Sequence, residues 1–255
     1  MAGKQPAEFK DLFSTQAGDY ARFRPHYPSA LFKQLSKLCA SHGLAWDCGT
    51  GNGQAAVALA PYFAKVIATD PSEKQLREAV ANHNVEYRCA PAEASGLDAG
   101  SVDLITVAQA FHWFRQPEFF AECSRVARPS CLLAVWCYEL TTISPEVDRV
   151  VLTLYKDVLG VYWDKERRLV EEGYRNEKFP FTELEGPKVS MGAEWSLADL
   201  IGYLGTWSAF QKYYKEKGFD PRVPLMPNFL RAWGDQNTPK NVSWPLSLRL
   251  FRVRE

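Results

Sequence analysis

Two carboxylates bracket a glycine-rich turn. Asp47 closes the apolar run Leu44-Ala-Trp, and the chain continues Cys48-Gly-Thr-Gly-Asn-Gly53. A second apolar run ends in Asp70, seventeen residues after Gly53. Gly49, Gly51 and Gly53 let the backbone turn sharply and pass close to a ligand. The stretch that follows, Gln54-Ala-Ala-Val-Ala-Leu-Ala, reads as a helix whose first N–H groups face the loop. An acid at the end of the next strand is placed to accept hydrogen bonds from both hydroxyls of a ribose. This set holds a nucleotide-type cofactor.

Alternating elements must position these residues. Strands are expected at Lys65–Asp70, Val85–Ala90, Ser101–Ala108 and Cys131–Tyr138. The near-continuous apolar run of Ser101–Ala108 suits a strand buried on both faces. A helix is expected from Pro71 to about Asn82, capped by Ser72, and another from Pro117 to Ala127. Strands joined by crossovers of this length predict a parallel sheet with right-handed connections. The first forty residues read as mostly helical. Beyond Tyr138 the rhythm breaks. Helices are expected at Pro145–Leu159, Trp163–Glu172 and Ser196 to about Lys217, the last interrupted at Gly202 and Gly205. A strand is expected at Phe181–Val189, and a final one from Val242, with Pro245 favouring an edge or a bulge. This half carries Trp163, Trp195, Trp207, Trp233 and Trp244, five of the eight tryptophans. It is either a lid with an aromatic wall or a plain helical layer on the sheet.

Composition excludes several classes. The chain has 255 residues, 46% of them hydrophobic and 24% charged, which is ordinary for a protein with a full core. Thirty basic and thirty acidic residues cancel, and no Lys/Arg cluster is denser than Glu166-Arg167-Arg168. No nucleic-acid or anionic-membrane partner is therefore expected. No stretch approaches the ~20 apolar residues that span a bilayer. The first residues lack the apolar core of a signal peptide, so the expected location is cytoplasmic. The six cysteines (39, 48, 89, 123, 131, 137) form no C-x-x-C pair, so reduced thiols and no metal site are expected. Monomer and homodimer both remain open.

The choice of cofactor turns on residues around the loop. The dinucleotide pattern G-x-G-x-x-G fails from Gly49, because position 54 is Gln, and matches only loosely from Gly51. Asp47 stands where a dinucleotide has no cation but S-adenosylmethionine carries an α-ammonium. The third strand runs into Ala90-Pro-Ala92-Glu93, which offers a backbone N–H and a carboxylate to an adenine edge. No Tyr-x-x-x-Lys of a hydride-transfer site is found at Tyr155 or Tyr214. These residues favour S-adenosylmethionine over a nicotinamide cofactor.

The sequence resembles the class I S-adenosylmethionine-dependent methyltransferases, and within them the methyltransferase type 11 and trans-aconitate methyltransferase group. The matching residues are Asp47-Cys-Gly-Thr-Gly-Asn-Gly53, Asp70-Pro-Ser, Ala92-Glu93 and Ala108-Gln-Ala-Phe-His-Trp-Phe114. Tyr20-Ala-Arg-Phe-Arg-Pro-His-Tyr-Pro28, Trp195-Ser and Thr206-Trp-Ser-Ala209 are similar to that group's N-terminal segment and lid helix. The resemblance implies an α/β, Rossmann-like, seven-stranded mixed sheet of order 3-2-1-4-5-7-6, helices on both faces and a helical lid. The implied division is an N-terminal segment over the site (1–40), a cofactor-binding core (41–140), a lid and substrate region with a late strand (141–241) and a final core strand (242–255).

Site roles follow from it. Asp47 faces the methionine end of the cofactor, Asp70 with Pro71 holds the ribose, and Ala92 and Glu93 meet the adenine. Gln109 presents its carbonyl near the cofactor's amino group, or its side chain to substrate. Tyr20 and Arg24 close over the site, with Arg24 meeting the cofactor's carboxylate, an acid substrate or a structural partner. His112 is a base or a packed residue, and Trp113, Trp195 and Trp207 line the substrate. The expected activity is methylation of a small molecule, with a carboxylate oxygen as the leading acceptor and nitrogen or carbon behind it. A catalytically silent cofactor-binding module and a nicotinamide oxidoreductase are the rivals.

Overall fold

A computed structural model describes residues 23–255; Tyr20 and the rest of the first 22 residues lie outside them. The first described helix, α1 (Ser29–Leu38), sends Leu31, Phe32 and Leu35 inward and precedes β1 (Leu44–Cys48). Then come α2 (Gln54–Leu59), β2 (Lys65–Asp70), α3 (Glu73–Arg77), β3 (Val85–Cys89) and β4 (Val102–Ala108). Helix α4 (Gln116–Val126) leads directly into β5 (Ala127–Tyr138). β1 pairs in parallel with β2 and β4, β2 with β3, and β4 with β5. The chain then forms α5 (Pro145–Leu152), which widens into a π-helical turn at Thr153–Val158, and the short α6 (Arg167–Glu171). Next are β6 (Thr182–Leu184), β7 (Met191–Trp195), α7 (Leu197–Gly205), α8 (Ser208–Lys217), α9 (Met226–Trp233), β8 (Lys240–Trp244) and β9 (Leu246–Arg252).

The seven-stranded sheet has the order β3-β2-β1-β4-β5-β9-β6, with β9 antiparallel to both neighbours. This is the implied order, with the last strand of the chain inserted beside β5. Successive residues of β1 serve opposite faces: Ala45 joins α1 and α2 around Trp136, and Trp46 joins Phe111, Phe119 and Phe251. The buried Trp46 indole donates to Thr69 Oγ1 (2.9 Å), so its N–H is satisfied within the core.

Several elements differ from the sequence expectation. The strand expected from Val242 is two strands. Pro245 has no N–H to donate and marks the point where the chain leaves its pairing with β7 for the main sheet. Strand β7 and helix α9 had no counterpart in the expectation, and the Phe181–Val189 strand shrinks to three residues before Gly186-Pro187. Ser72 caps α3 as expected, but that helix stops at Arg77. Gly202 does not interrupt α7; a Cβ there would lie 2.5 Å from the ring of Phe23, so the glycine admits the N-terminal segment. The break falls at Thr206-Trp207 instead. α5, α7, α8 and α9 share their own apolar cluster, which includes Leu154, Leu204, Trp207 and Phe229.

Phe251 joins the last strand to the core. It stacks on Phe179 with ring centres 4.2 Å apart and is 1% exposed. Phe251→Ala is expected to lower the unfolding free energy by about 3–5 kcal/mol, read as a shifted denaturation midpoint at unchanged slope.

Candidate active site

Main-chain hydrogen bonds and one carboxylate hold the glycine loop against the end of β2. The N–H groups of Gly49 and Thr50 both donate to the Thr69 carbonyl (2.8 and 3.0 Å). Asp70 Oδ2 accepts from the Gly51 N–H (2.9 Å) and Oδ1 from the Ser72 N–H (2.8 Å). Two of the glycines also answer to packing inside the protein. A Cβ on Gly49 would lie 2.6 Å from the Ala110 methyl, and one on Gly53 would lie 2.2 Å from the Tyr87 hydroxyl. Gly51 has open space around its Cα and lines a cavity of about 580 Å³ at the carboxyl edge of the sheet. That volume suits a cofactor with a small partner.

Most of the expected site residues meet in this cavity. Gly49, Gly51, Asp70, Pro71, Ala92 and Glu93 line one part of it. Glu93 Oε1 also accepts from the Arg115 N–H (2.8 Å) at the start of α4, so the carboxylate is oriented from behind. Gln109 lines the cavity with its backbone in the left-handed region at φ +59°, a strain of about 1–3 kcal/mol. Its side-chain amide exchanges two bonds with the main chain of Tyr138: Nε2 to the carbonyl (3.3 Å), and the Tyr138 N–H to Oε1 (3.0 Å). The Gln109 side chain thus engages β5, and the strained turn folds the main chain over the sheet edge.

Three expected residues do not line the cavity. Asp47 is fully buried under the loop. Its register neighbour on β4, Thr106, donates to Oδ1 (2.7 Å), and Thr50 donates to Oδ2 (2.5 Å). Burial raises its pKa to about 6 against the pull of both hydroxyls, and the charge of Asp70 adds to the rise. Gly53 is turned toward Tyr87. Trp195, expected in the substrate wall, packs on the two-stranded β7–β8 sheet against Trp244 (4.7 Å) and Tyr203 (5.4 Å). This small sheet, which the sequence did not announce, carries it away from the cavity.

The helical layer and the N-terminal segment supply the other wall. Arg24 donates to the Tyr138 hydroxyl (2.7 Å) and the Thr206 carbonyl (3.2 Å), tying its segment to the ends of β5 and α7. Trp113, Trp207 and His112 line the cavity as expected, joined by Tyr203 and Trp163. Burial first, and the nearby Arg167 second, pull the His112 pKa down to about 3, so the ring is neutral at pH 7. Arg167 itself was missed. It lines the cavity, donates to the Tyr155 hydroxyl (2.9 Å) and lies over the rings of Tyr155 (5.5 Å) and Trp163 (5.0 Å). Its neighbour Arg168 is exposed and paired with Glu172. In the run Glu166-Arg167-Arg168 only the phase of α6 decides which arginine turns inward, and the irregular turns before it leave no periodic signal to read.

A profile of the methyltransferase domain family matches residues 46–135, from β1 into β5. A Dictyostelium discoideum protein named as a methyltransferase is 37% identical over 232 residues, covering 89% of this chain and 88% of that one. The chain is a methyltransferase. A Saccharomyces cerevisiae relative named as S-adenosylmethionine-dependent is 27% identical over 94% of this chain and 96% of its own. The solved structure of a type II methyltransferase from Anaeromyxobacter dehalogenans superposes with a TM-score of 0.85 at 45% identity, covering 91% of this chain and 99% of that one. The cofactor of this methyltransferase is S-adenosylmethionine, and the cavity fits it: a close-passing loop whose Gly49 and Gly51 line it, an acid at the end of β2 and a second acid beyond β3.

Two expectations follow. Asp70→Ala removes a carboxylate from the cavity and releases the Gly51 amide of the loop together with the Ser72 amide at the start of α3, so the dissociation constant for S-adenosylmethionine should rise by about tenfold to a hundredfold, as read by titration calorimetry. Asp47 makes stability pH-dependent with a definite sign. Its folded pKa of about 6 lies above the unfolded value of about 3.9. The folded state therefore binds the extra proton between these values, and this group's contribution falls as pH rises from 4 to 6, by about 2–3 kcal/mol in all. Asp47→Asn removes this titration, so the difference between the wild-type and variant stability–pH curves should fall by that amount between pH 4 and pH 6.

Proposed function

We propose that the methyltransferase acts on a small carboxylic acid and transfers the methyl group to a carboxylate oxygen. One observation carries this: the guanidinium of Arg167 stands in an aromatic cavity wall, and no carboxylate pairs with it among the described residues. A cation held this way between rings is matched by an anionic ligand, and guanidinium–carboxylate geometry is well suited to it. Trp163, Trp207 and Tyr203 line the cavity with it, and Asp164, which also lines it, is paired with Lys212 (2.6 Å), in keeping with a small organic acid.

When bound, S-adenosylmethionine supplies a sulfonium methyl carbon; a C–O bond forms there as the C–S bond breaks, and its electron pair leaves with the sulfur. The acceptor is already ionised, so no base is required. The chain's part is to place and desolvate the reactants, an effect worth about 7–11 kcal/mol in well-oriented systems. In this reading Asp70 and Pro71 hold the ribose, and Glu93 and the Ala92 N–H hold the adenine edge. Arg24 meets the cofactor's own carboxylate, and the buried charge of Asp47 with the turned main chain at Gln109 serves the ammonium. Arg167 orients the acid, while Trp113, Trp163 and Trp207 exclude water.

The test is incubation with methyl-labelled S-adenosylmethionine and a panel of small mono-, di- and tricarboxylic acids. A labelled product that releases methanol in mild alkali is the expected ester. A base-stable labelled product would instead show nitrogen or carbon methylation, and cofactor binding with no product from acids or a metabolite extract would show a silent binding module. Arg167→Met should raise KM for the acid about tenfold or more while the cofactor dissociation constant stays within about twofold.

A further inference from the structure

Two consecutive residues after α6, Gly173 and Tyr174, have positive φ (+60° and +57°). The glycine ends the helix in an ordinary way: its own N–H donates to Val170, and the next N–H reaches back to Leu169 (both 2.9 Å). Tyr174 is a different matter, because a bulky residue in the left-handed region is an outlier that its surroundings must enforce. Those surroundings are visible. Arg249 on β9 donates from Nη1 to the Tyr174 carbonyl (2.8 Å) and to the Glu177 carbonyl (2.6 Å). The same guanidinium is held by Glu183 (2.8 Å) and lies over Phe179 and Phe251. The Tyr174 ring is fully buried and meets Phe111 edge-on at 5.3 Å.

The outcome of this clamp is one contact: the Tyr174 hydroxyl lies 2.9 Å from His112 Nδ1. A buried phenol needs an acceptor for its hydrogen, and among the described residues the imidazole nitrogen is the partner it has. Burial also pushes the phenol pKa well up, so the hydroxyl keeps its proton. A neutral imidazole that accepts at Nδ1 carries its hydrogen on Nε2. His112 lines the cavity, and no described residue engages Nε2.

We propose that Tyr174 is a positioning residue that holds His112 as a neutral Nε2–H donor, aimed at an oxygen of the substrate rather than at a proton to be removed. The assignment rests on the reading of this cavity as the substrate site. It gives the histidine a part that suits an already ionised acceptor: its N–H binds the carboxylate oxygen that does not attack, and leaves the other free to take the methyl group. The charged groups that bear on the ring are Arg167 from α6 and Asp164 just before it, with Tyr174 behind. A neutral ring beside Arg167 completes a donor set with a single positive charge.

The tautomer is measurable in the full-length protein without any substrate. Nitrogen-15 labelled histidine gives four imidazole patterns, and loss of one in His112→Gln assigns His112. The wild-type ring is expected to be neutral with its proton on Nε2 from pH 8 down to pH 5. In Tyr174→Phe, which keeps the ring packing, the proton should move wholly or partly to Nδ1. A wild-type proton on Nδ1, a wild-type titration near the ordinary histidine value, or a tautomer unchanged in Tyr174→Phe would each overturn the proposal. With an acid found by labelled transfer, His112→Gln, whose amide can donate from the Nε2 position, should keep kcat within about tenfold. A larger loss that follows a base-type pH profile would overturn it as well. Failure to find any methylated acid would count against the carboxylate reading alone and leave the tautomer result standing.

Discussion

The Asp70 carboxylate bridges two main-chain amides, one on the glycine loop and one at the start of α3, and the site is built outward from that bridge. It fixes the height of the loop over the sheet edge, because Gly51 cannot rise without giving up a charge-assisted bond. The Thr69 carbonyl, taking the Gly49 and Thr50 amides, secures the same loop one residue earlier. Asp47 supports it from below. Its buried charge survives on two threonine hydroxyls, one from the loop and one from the neighbouring strand β4, so three elements converge on a single carboxylate. Desolvation still dominates, and this explains a pKa far above that of an exposed aspartate.

The opposite wall obeys a different constraint. Its aromatic side chains come from helices α7 and α8 and the irregular turns around α6, elements whose apolar cluster is distinct from the two that sandwich the sheet. Polar groups in such a wall need partners. Arg167 finds a phenol and two ring faces, Arg24 a phenol and a helix-terminal carbonyl, and His112 the Tyr174 hydroxyl. For Arg167 and His112 the contact uses one nitrogen, and both residues line the cavity. Strain is concentrated there too: Gln109 and Tyr174, both in the left-handed region, each lie within one contact of a lining residue.

Much of the cofactor half was legible because its signals are local. The acid before the loop, the alternate glycines, the acid seventeen residues on and Ser72 as a cap are all set within a few residues of one another or of a strand end. What was less legible is why some of them are there. Gly53 reads as a cofactor glycine, yet its missing Cβ makes room for the Tyr87 hydroxyl, a contact made across 34 residues of sequence. Asp47 reads as a cavity residue, yet the register of β1 against β4 turns it beneath the loop.

The second half shows the limit more sharply. Trp195 and Trp207 look alike in composition, but one lies on strand β7 and the other in the cavity, and only the pairing of β7 with the distant β8 separates them. Arg167 and Arg168 are adjacent and identical, and the phase of a five-residue helix sends one inward. By itself the sequence determined a parallel α/β core and the acids and glycines at its strand ends, because periodicity, glycine spacing and strand-terminal acids act over short distances along the chain. The strand order came from the family resemblance. Only the tertiary structure decided which cations and rings line the cavity and which nitrogen of His112 meets Tyr174, because those choices follow from contacts between elements far apart in sequence.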